Sequence, residues 1–186
     1  MANPLKLLKL KATGFQVIQE VPVDAPPARV WTAVLDFPGW FVFGGDAAPP
    51  RRMTVEPRVG GHWIEHLPDG GAMLNTTITH IEPNKLLRMS GPMGLTHLPV
   101  NNVFIFELQP KGAGQTTLLR FCQRTFGFVT TDQKKKYQHG WSQLLPQIKA
   151  LAERRDQQTV RKTGKKNGRR NQSRTGLGGR ANGRRA

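Results

Sequence analysis

The chain has 186 residues and 28 Lys/Arg against 12 Asp/Glu, a formal charge of +16. Its one cysteine excludes an intramolecular disulfide and fits a reducing, cytoplasmic setting. No apolar run approaches the ~18–20 residues of a membrane span, lysines interrupt the leucines of the N-terminal stretch where a secretory signal would need a continuous core, and collagen and coiled coil are excluded by composition.

Residues 1–14 read as a lead without a pattern of their own. From 15 to 23 the sequence FQVIQEVPV alternates apolar and polar, which predicts a strand. Asp24-Ala25-Pro26-Pro27 then opens a short helix, where a first-turn proline loses no intrahelical bond. Val30, Ala33 and Val34 give that helix an apolar face with Trp31 beside it, and Pro38-Gly39 is read as its end. Trp40, Phe41, Val42 and Phe43 lead into a loop rich in Gly, Ala and Pro.

Short strand candidates follow at 52–56, 62–67, 72–82, 86–90, 100–108 and 116–128. Turn signals such as Val59-Gly60-Gly61, Pro68-Asp69-Gly70-Gly71 and Pro110-Lys111-Gly112-Ala113-Gly114 separate them. Strands so spaced, with no helical pattern between them, predict an antiparallel meander. Arg88, Glu107, Arg120 and Arg124 facing water would turn Leu87, Met89, Phe104, Phe106, Leu108, Leu119, Phe121 and Gln123 inward.

The period then changes. Thr130-Thr131-Asp132-Gln133 has the form of a capping box. Tyr137, Trp141, Leu144, Ile148 and Leu151 recur at spacings of 4, 3, 4 and 3, one helical stripe. Gly140 weakens this helix and Pro146 is expected to bend it. The elements therefore predict an α+β fold, a curved antiparallel sheet of six to seven strands against a long C-terminal helix, with a cavity where the two surfaces do not meet.

Twelve of the Lys/Arg and one acid fall in 154–186, which gives that segment +11 and leaves +5 on residues 1–153. Apart from Val160, Leu177, Ala181 and Ala186 it holds no apolar side chain, so 154–186 is expected to be a disordered basic tail. Lys162, Lys165, Lys166, Arg169, Arg170, Arg174, Arg180, Arg184 and Arg185 are its candidate contacts to nucleic acid or another polyanion, by phosphate neutralisation without sequence choice. The competing reading is a solubilising extension, and the lack of aromatics limits any base stacking.

The order of motifs resembles a known superfamily. Pro22-Val23-Asp24-Ala25-Pro26-Pro27-Ala28-Arg29-Val30-Trp31 is similar to the opening of SRPBCC (START-related, helix-grip) proteins. Val59-Gly60-Gly61 before an aromatic strand, Asp69-Gly70, and Ile81-Glu82-Pro83-Asn84-Lys85-Leu86 follow that superfamily's strand-and-turn order. Gly140-Trp141 with Leu144, Leu145 and Leu151 resembles its last helix. The subgroup most resembled is the activator-of-heat-shock-protein-ninety-ATPase homologue type, with polyketide cyclase-like members second, over roughly residues 15–153. The resemblance implies a helix-grip domain and a hydrophobic ligand cavity, and no single activity. Val30, Leu87, Met89, Phe104, Phe106, Phe121, Tyr137, Trp141 and Leu144 are expected to line that cavity, with the Tyr137 hydroxyl offered to the ligand. A small hydrophobic molecule is the expected partner. The alternatives are a cyclase- or hydrolase-type enzyme using the same cavity, and a chaperone-regulating or nucleic-acid-associated module.

Other motifs carry less. His62-Trp63-Ile64-Glu65-His66 matches H-x-x-E-H, a metal-protease pattern that needs a helix. On the short strand expected here, residues four apart lie ~13 Å apart, too far to share one ion, so no metal is expected. Asn75, Thr77, Thr79, Asn101 and Gln123 are polar strand positions that would orient a ligand if inward, but read more readily as solvated outer-face residues. Cys122 reads as a free thiol pointing with the arginines. No cofactor fingerprint, phosphate loop or nucleophile elbow is present, so no cofactor and no catalytic residue is assigned.

Overall fold

Among the described residues the seven strand candidates become seven strands, and the 3.6-period stripe becomes part of one long helix. The computed structural model describes residues 13–41 and 52–168, with side chains through Arg154. In chain order the elements are β1 (Thr13–Val23), α1 (Pro27–Leu35), α2 (Phe37–Trp40), β2 (Arg52–Val55), β3 (His62–His66), β4 (Ala72–Glu82), β5 (Leu86–Gly91), β6 (Val100–Lys111), β7 (Thr116–Gly127) and α3 (Thr131–Gly168). The strands form one antiparallel sheet in the order β1-β7-β6-β5-β4-β3-β2. β1 thus pairs with the last strand, and the α1–α2 segment lies in the chain between the two edge strands. This is the expected α+β helix-grip arrangement of a curved sheet, a C-terminal helix and short helices after the first strand.

β6 and β7 keep strict alternation, so one face of each is buried: Phe104, Phe106 and Leu108 beside Leu119, Phe121 and Gln123. The register pairs Phe104 with Gln123 and Phe106 with Phe121, which brings these side chains together on one face. α3 packs Trp141, Leu144, Leu145, Ile148 and Ala152 into the core. Its start is the expected capping box: the Gln133 N–H donates to Thr130 Oγ1 at 3.2 Å and the Thr130 N–H to Gln133 Oε1 at 2.7 Å. The helix continues across Pro146, which lies on its exposed side.

Two local differences from the sequence reading have physical causes. Pro38-Gly39 does not end the first helix; α1 stops at Leu35 and the pair sits inside the short helix α2. A proline in a first turn costs no hydrogen bond, and Gly39 leaves room for the Asp36 carboxylate, whose Oδ2 would stand 2.5 Å from a Cβ there. β1 begins at Thr13, two residues before the alternation at Phe15, since Thr13 and Gly14 still pair with Gly127 and Phe126.

β4 is the irregular strand. Its register with β3 slips where Trp63 pairs with Thr76 and Ile64 with Leu74, leaving Asn75 as the extra residue of a bulge. A second slip against β5 leaves out Thr79. Bulges bend a strand and sharpen its twist, which suits a sheet that must curve around a helix.

The chain divides into two units, Met1–Glu153 and Arg154–Ala186. Of the second, helical backbone is described as far as Gly168. The nine basic residues expected to meet a polyanion, from Lys162 to Arg185, and the disorder expected of them, lie outside the described side chains.

Candidate ligand cavity

α3 meets the sheet unevenly. Over β6 and β7 the contact is tight: the rings of Phe121 and Trp141 are 3.8 Å apart, and those of Phe104 and Phe106 each 5.9 Å from Trp141. Toward β3 and β4 the surfaces part, leaving a cavity of about 270 Å³. Its wall takes Glu65 from β3, Met73 and Asn75 from β4, Met93, Gly94 and Leu95 from the β5–β6 loop, and Phe41 after α2. α3 supplies Gln133, Lys136, Tyr137, Gly140, Trp141 and Leu144.

Of the nine residues expected to line a cavity, Tyr137, Trp141 and Leu144 do so. Val30, Leu87, Met89, Phe104, Phe106 and Phe121 are inward as expected but are fully packed core and are absent from the wall. Phe104, Phe106 and Phe121 sit where their rings and that of Trp141 already fill the space between helix and sheet. Facing inward is a necessary condition for lining a cavity, and period-two alternation cannot tell a filled site from an open one.

The polar positions also rearrange. Thr77 and Asn101 are half-buried and Thr79 is exposed; Asn75 is 2% exposed, contrary to the outer-face reading, and Gln123 is 0% exposed, inward as the phase it shares with Leu119 and Phe121 predicts. For Asn75 the cause is the bulge, which turns both Asn75 and Thr76 inward. Asn102, not singled out from sequence, is buried too. The signal was present, since the Phe104–Phe106 phase extended back two residues reaches it.

Gln123 and Asn102 belong to a buried chain of hydrogen bonds that joins α3 to the loop over the cavity. Trp141 Nε1 donates to Gln123 Oε1 at 2.6 Å. Gln123 Nε2 donates to Asn102 Oδ1 and Thr125 Oγ1, both at 2.9 Å, and Thr125 Oγ1 donates to Asn102 Oδ1 at 2.7 Å. Asn102 Nδ2 then donates to the carbonyls of Gly91 and Pro92 at 3.1 and 3.0 Å. A satisfied buried network of this kind fixes one geometry. It sets the indole of Trp141 in the cavity wall.

The loop is held on the other side by Tyr137. Its hydroxyl donates to the Met93 carbonyl at 3.2 Å, while the Met93 N–H donates to the Asn75 backbone carbonyl at 3.0 Å. These two bonds hold Met93 at φ 40, a left-handed conformation that a non-glycine residue rarely adopts. The Tyr137 proton is therefore committed to the loop, where the sequence reading offered it to a ligand. Burial pushes the hydroxyl from 10.0 up to about 12, against a smaller downward pull from the neighbouring Asn102 side chain.

The H-x-x-E-H stretch forms β3. Glu65 points inward, while His62 and His66 share the other face, where His66 Nε2 pairs with Thr54 Oγ1 at 3.1 Å. No histidine lines the cavity. Among the described residues no cluster of His, Cys, Asp and Glu could hold a metal ion. Cys122 is a half-buried free thiol on the arginine side of β7. No helix of the described residues is long and apolar enough to cross a membrane.

Comparison with known proteins agrees with this geometry. Residues 24–153 match the family described as Activator of Hsp90 ATPase homolog 1-like protein. The sequence finds no match among the curated proteins. Three solved structures match along nearly their whole length. A Rhizobium leguminosarum protein superposes with a TM-score of 0.61 at 17% identity, covering 77% of this chain and 97% of that one. The Mll3558 protein of Rhizobium loti gives 0.59 at 23% identity, covering 76% and 99%. CalU16 from Micromonospora echinospora gives 0.52 at 18% identity, covering 84% and 93%. At such identities these neighbours speak for the fold. With the matched segment spanning α1 to the buried part of α3, the chain belongs to the Activator of Hsp90 ATPase homolog 1-like family of the SRPBCC superfamily.

Proposed function

We propose that this domain binds a small, largely apolar molecule between α3 and the β3–β4 side of the sheet. The observation that carries the reading is the cavity itself: about 270 Å³, walled mainly by Phe41, Met73, Met93, Leu95, Trp141 and Leu144, with few polar groups among them. Preformed concave apolar sites with a small number of polar groups are the usual form of small-molecule sites. The methionines suit such a wall, because an unbranched thioether adapts to the shape beside it. The wall carries Glu65, Lys136 and Tyr137 as its titratable groups.

The test is titration with N-phenyl-1-naphthylamine, a neutral fluorophore that brightens in apolar surroundings. The expected result is saturable one-to-one binding, weakened by about tenfold or more in Met73→Trp, whose indole would occupy the space. No saturable brightening, or equal binding by a folded Met73→Trp protein, would overturn the reading. The family description brings in a chaperone ATPase. Docking on such a partner through an outer surface is the competing function, and it would be indifferent to Met73→Trp.

The basic segment supports a second activity. Its +11 charge within 154–186 favours non-specific association with nucleic acid or another polyanion, steeply weakened by salt.

A further inference from the structure

Four of the five methionines lie among the described residues, and one differs from the rest in its surroundings. Met53, Met89 and Met93 are 8%, 1% and 8% exposed, whereas Met73 is half-buried. Its place in β4 explains this. Met73 follows Ala72, the first residue of the strand, so it stands at the turn end of the β3–β4 hairpin, and its register partner is the inward-facing Glu65. The side chain therefore joins the cavity wall close to the hairpin turn. The sulfurs repeat the difference. Trp63 Nε1 donates to Met53 Sδ at 3.2 Å and Thr76 Oγ1 to Met89 Sδ at 3.6 Å, both in the core. The donor to Met73 Sδ is Thr96 Oγ1, at 3.8 Å, from an exposed residue of the β5–β6 loop.

A thioether that solvent reaches is oxidised by peroxides, and the product is a polar, chiral sulfoxide in place of an apolar side chain. Resting on the cavity reading above, we propose that Met73 is an oxidation site, and that its sulfoxide closes the cavity to apolar ligands. The oxidant is a hydroperoxide. The Met73 sulfur attacks one peroxide oxygen, and the S–O bond forms as the O–O bond breaks. With hydrogen peroxide, the proton of the transferred oxygen passes to the departing hydroxide, which leaves as water. Sulfur gives up two electrons and the peroxide takes them. The new oxygen stands in a wall made mainly by Phe41, Met93, Leu95, Trp141 and Leu144, where an apolar ligand would have to strip it of water. Thr96 Oγ1, already beside the sulfur, is placed to donate to that oxygen and tie the β5–β6 loop to the altered wall. Met93 shares the wall but is shielded, at 8% exposed. Methionine sulfoxide reductases reverse such a change.

The experiment exposes the full chain to hydrogen peroxide, stops the reaction with catalase, and follows two quantities over time. One is the sulfoxide at each methionine, by peptide mass spectrometry; the other is the affinity for N-phenyl-1-naphthylamine. Met73 is expected to oxidise about tenfold or more faster than Met53 and Met89, and affinity should fall about fivefold or more as Met73 oxidation nears completion. In Met73→Leu, whatever its own affinity, the same treatment should change that affinity by less than about twofold, because leucine has no sulfur to oxidise. The variant keeps Cys122, so a loss through the thiol would appear in it too. Met73 oxidising no faster than Met53 and Met89 overturns the proposal without recourse to the variant. Complete Met73 oxidation with affinity unchanged does the same, and in both cases the cavity reading stands. An equal loss of affinity in Met73→Leu also overturns it. Failure of the untreated wild type to bind the fluorophore instead removes the cavity reading, and this proposal with it.

Discussion

Tyr137 is the chain's one tyrosine, so its ionisation can be followed by phenolate absorbance without interference. The folded protein should titrate with a midpoint near 12, where an exposed tyrosine would titrate near 10.0. Because the folded state holds this proton more tightly than the unfolded chain, the associated stability is fully present below about pH 10 and is lost as the pH rises through about 12. With about 1.4 kcal/mol for each tenfold change in proton affinity, the contribution is roughly 2–3 kcal/mol. Tyr137→Phe should remove this pH dependence and free the Met93 carbonyl. A midpoint near 10 in the folded protein would mean that the hydroxyl is not held over the cavity. Four residues on, Trp141 carries more of the fold. Its ring lies on Phe121 and its N–H meets Gln123, so Trp141→Ala should cost ~3–5 kcal/mol. Gln143→Ala, exposed on the opposite side of α3, should change stability by no more than ~0.5 kcal/mol. Equal urea midpoints for the two variants would contradict this orientation of α3.

At the scale of elements, legibility followed regularity. β6, β7 and the buried part of α3 keep their periods, so Phe104, Phe106, Phe121, Trp141 and Leu144 were assigned inward from sequence and are buried. β4 does not keep its period. Leu74, Ile78 and Ile81 disagree in phase because two bulges intervene, and this hid the inward turn of Asn75. Which inward residues line open space was equally hidden, since that depends on how closely α3 approaches each strand. The bulged region leads to a prediction of its own. A Cβ at Gly91 would stand 2.4 Å from the Asn75 carbonyl oxygen and 2.7 Å from Thr76 Cα. These are backbone atoms, so β4 and β5 must separate to admit it. Gly91→Ala should therefore lose about 1–3 kcal/mol in urea unfolding, and should weaken N-phenyl-1-naphthylamine binding by shifting the cavity wall. Unchanged stability would show that the two strands do not approach so closely.

At the scale of the molecule, charge and packing are segregated along the chain. Residues 1–153 carry +5 and every core side chain described, while 154–186 carry +11. Shortening the chain after Glu153 should leave the thermal midpoint of the domain within a few degrees, because the last described core residue is Ala152. It should also abolish most low-salt binding to DNA, which falls with counterion release. Undiminished DNA binding by the shortened chain would place the polyanion site on the domain instead. The central claim concerns the cavity, and methionine reports on it most directly. Met73 and Met93 stand in its wall, while Met53 and Met89 are buried outside it. In a protein labelled with carbon-13 at its methionine methyls, saturating N-phenyl-1-naphthylamine should displace the Met73 and Met93 signals by ring current and leave Met53 and Met89 nearly in place. Shifts absent from Met73 and Met93, or confined to other methyls, would contradict a ligand site between α3 and the β3–β4 side of the sheet.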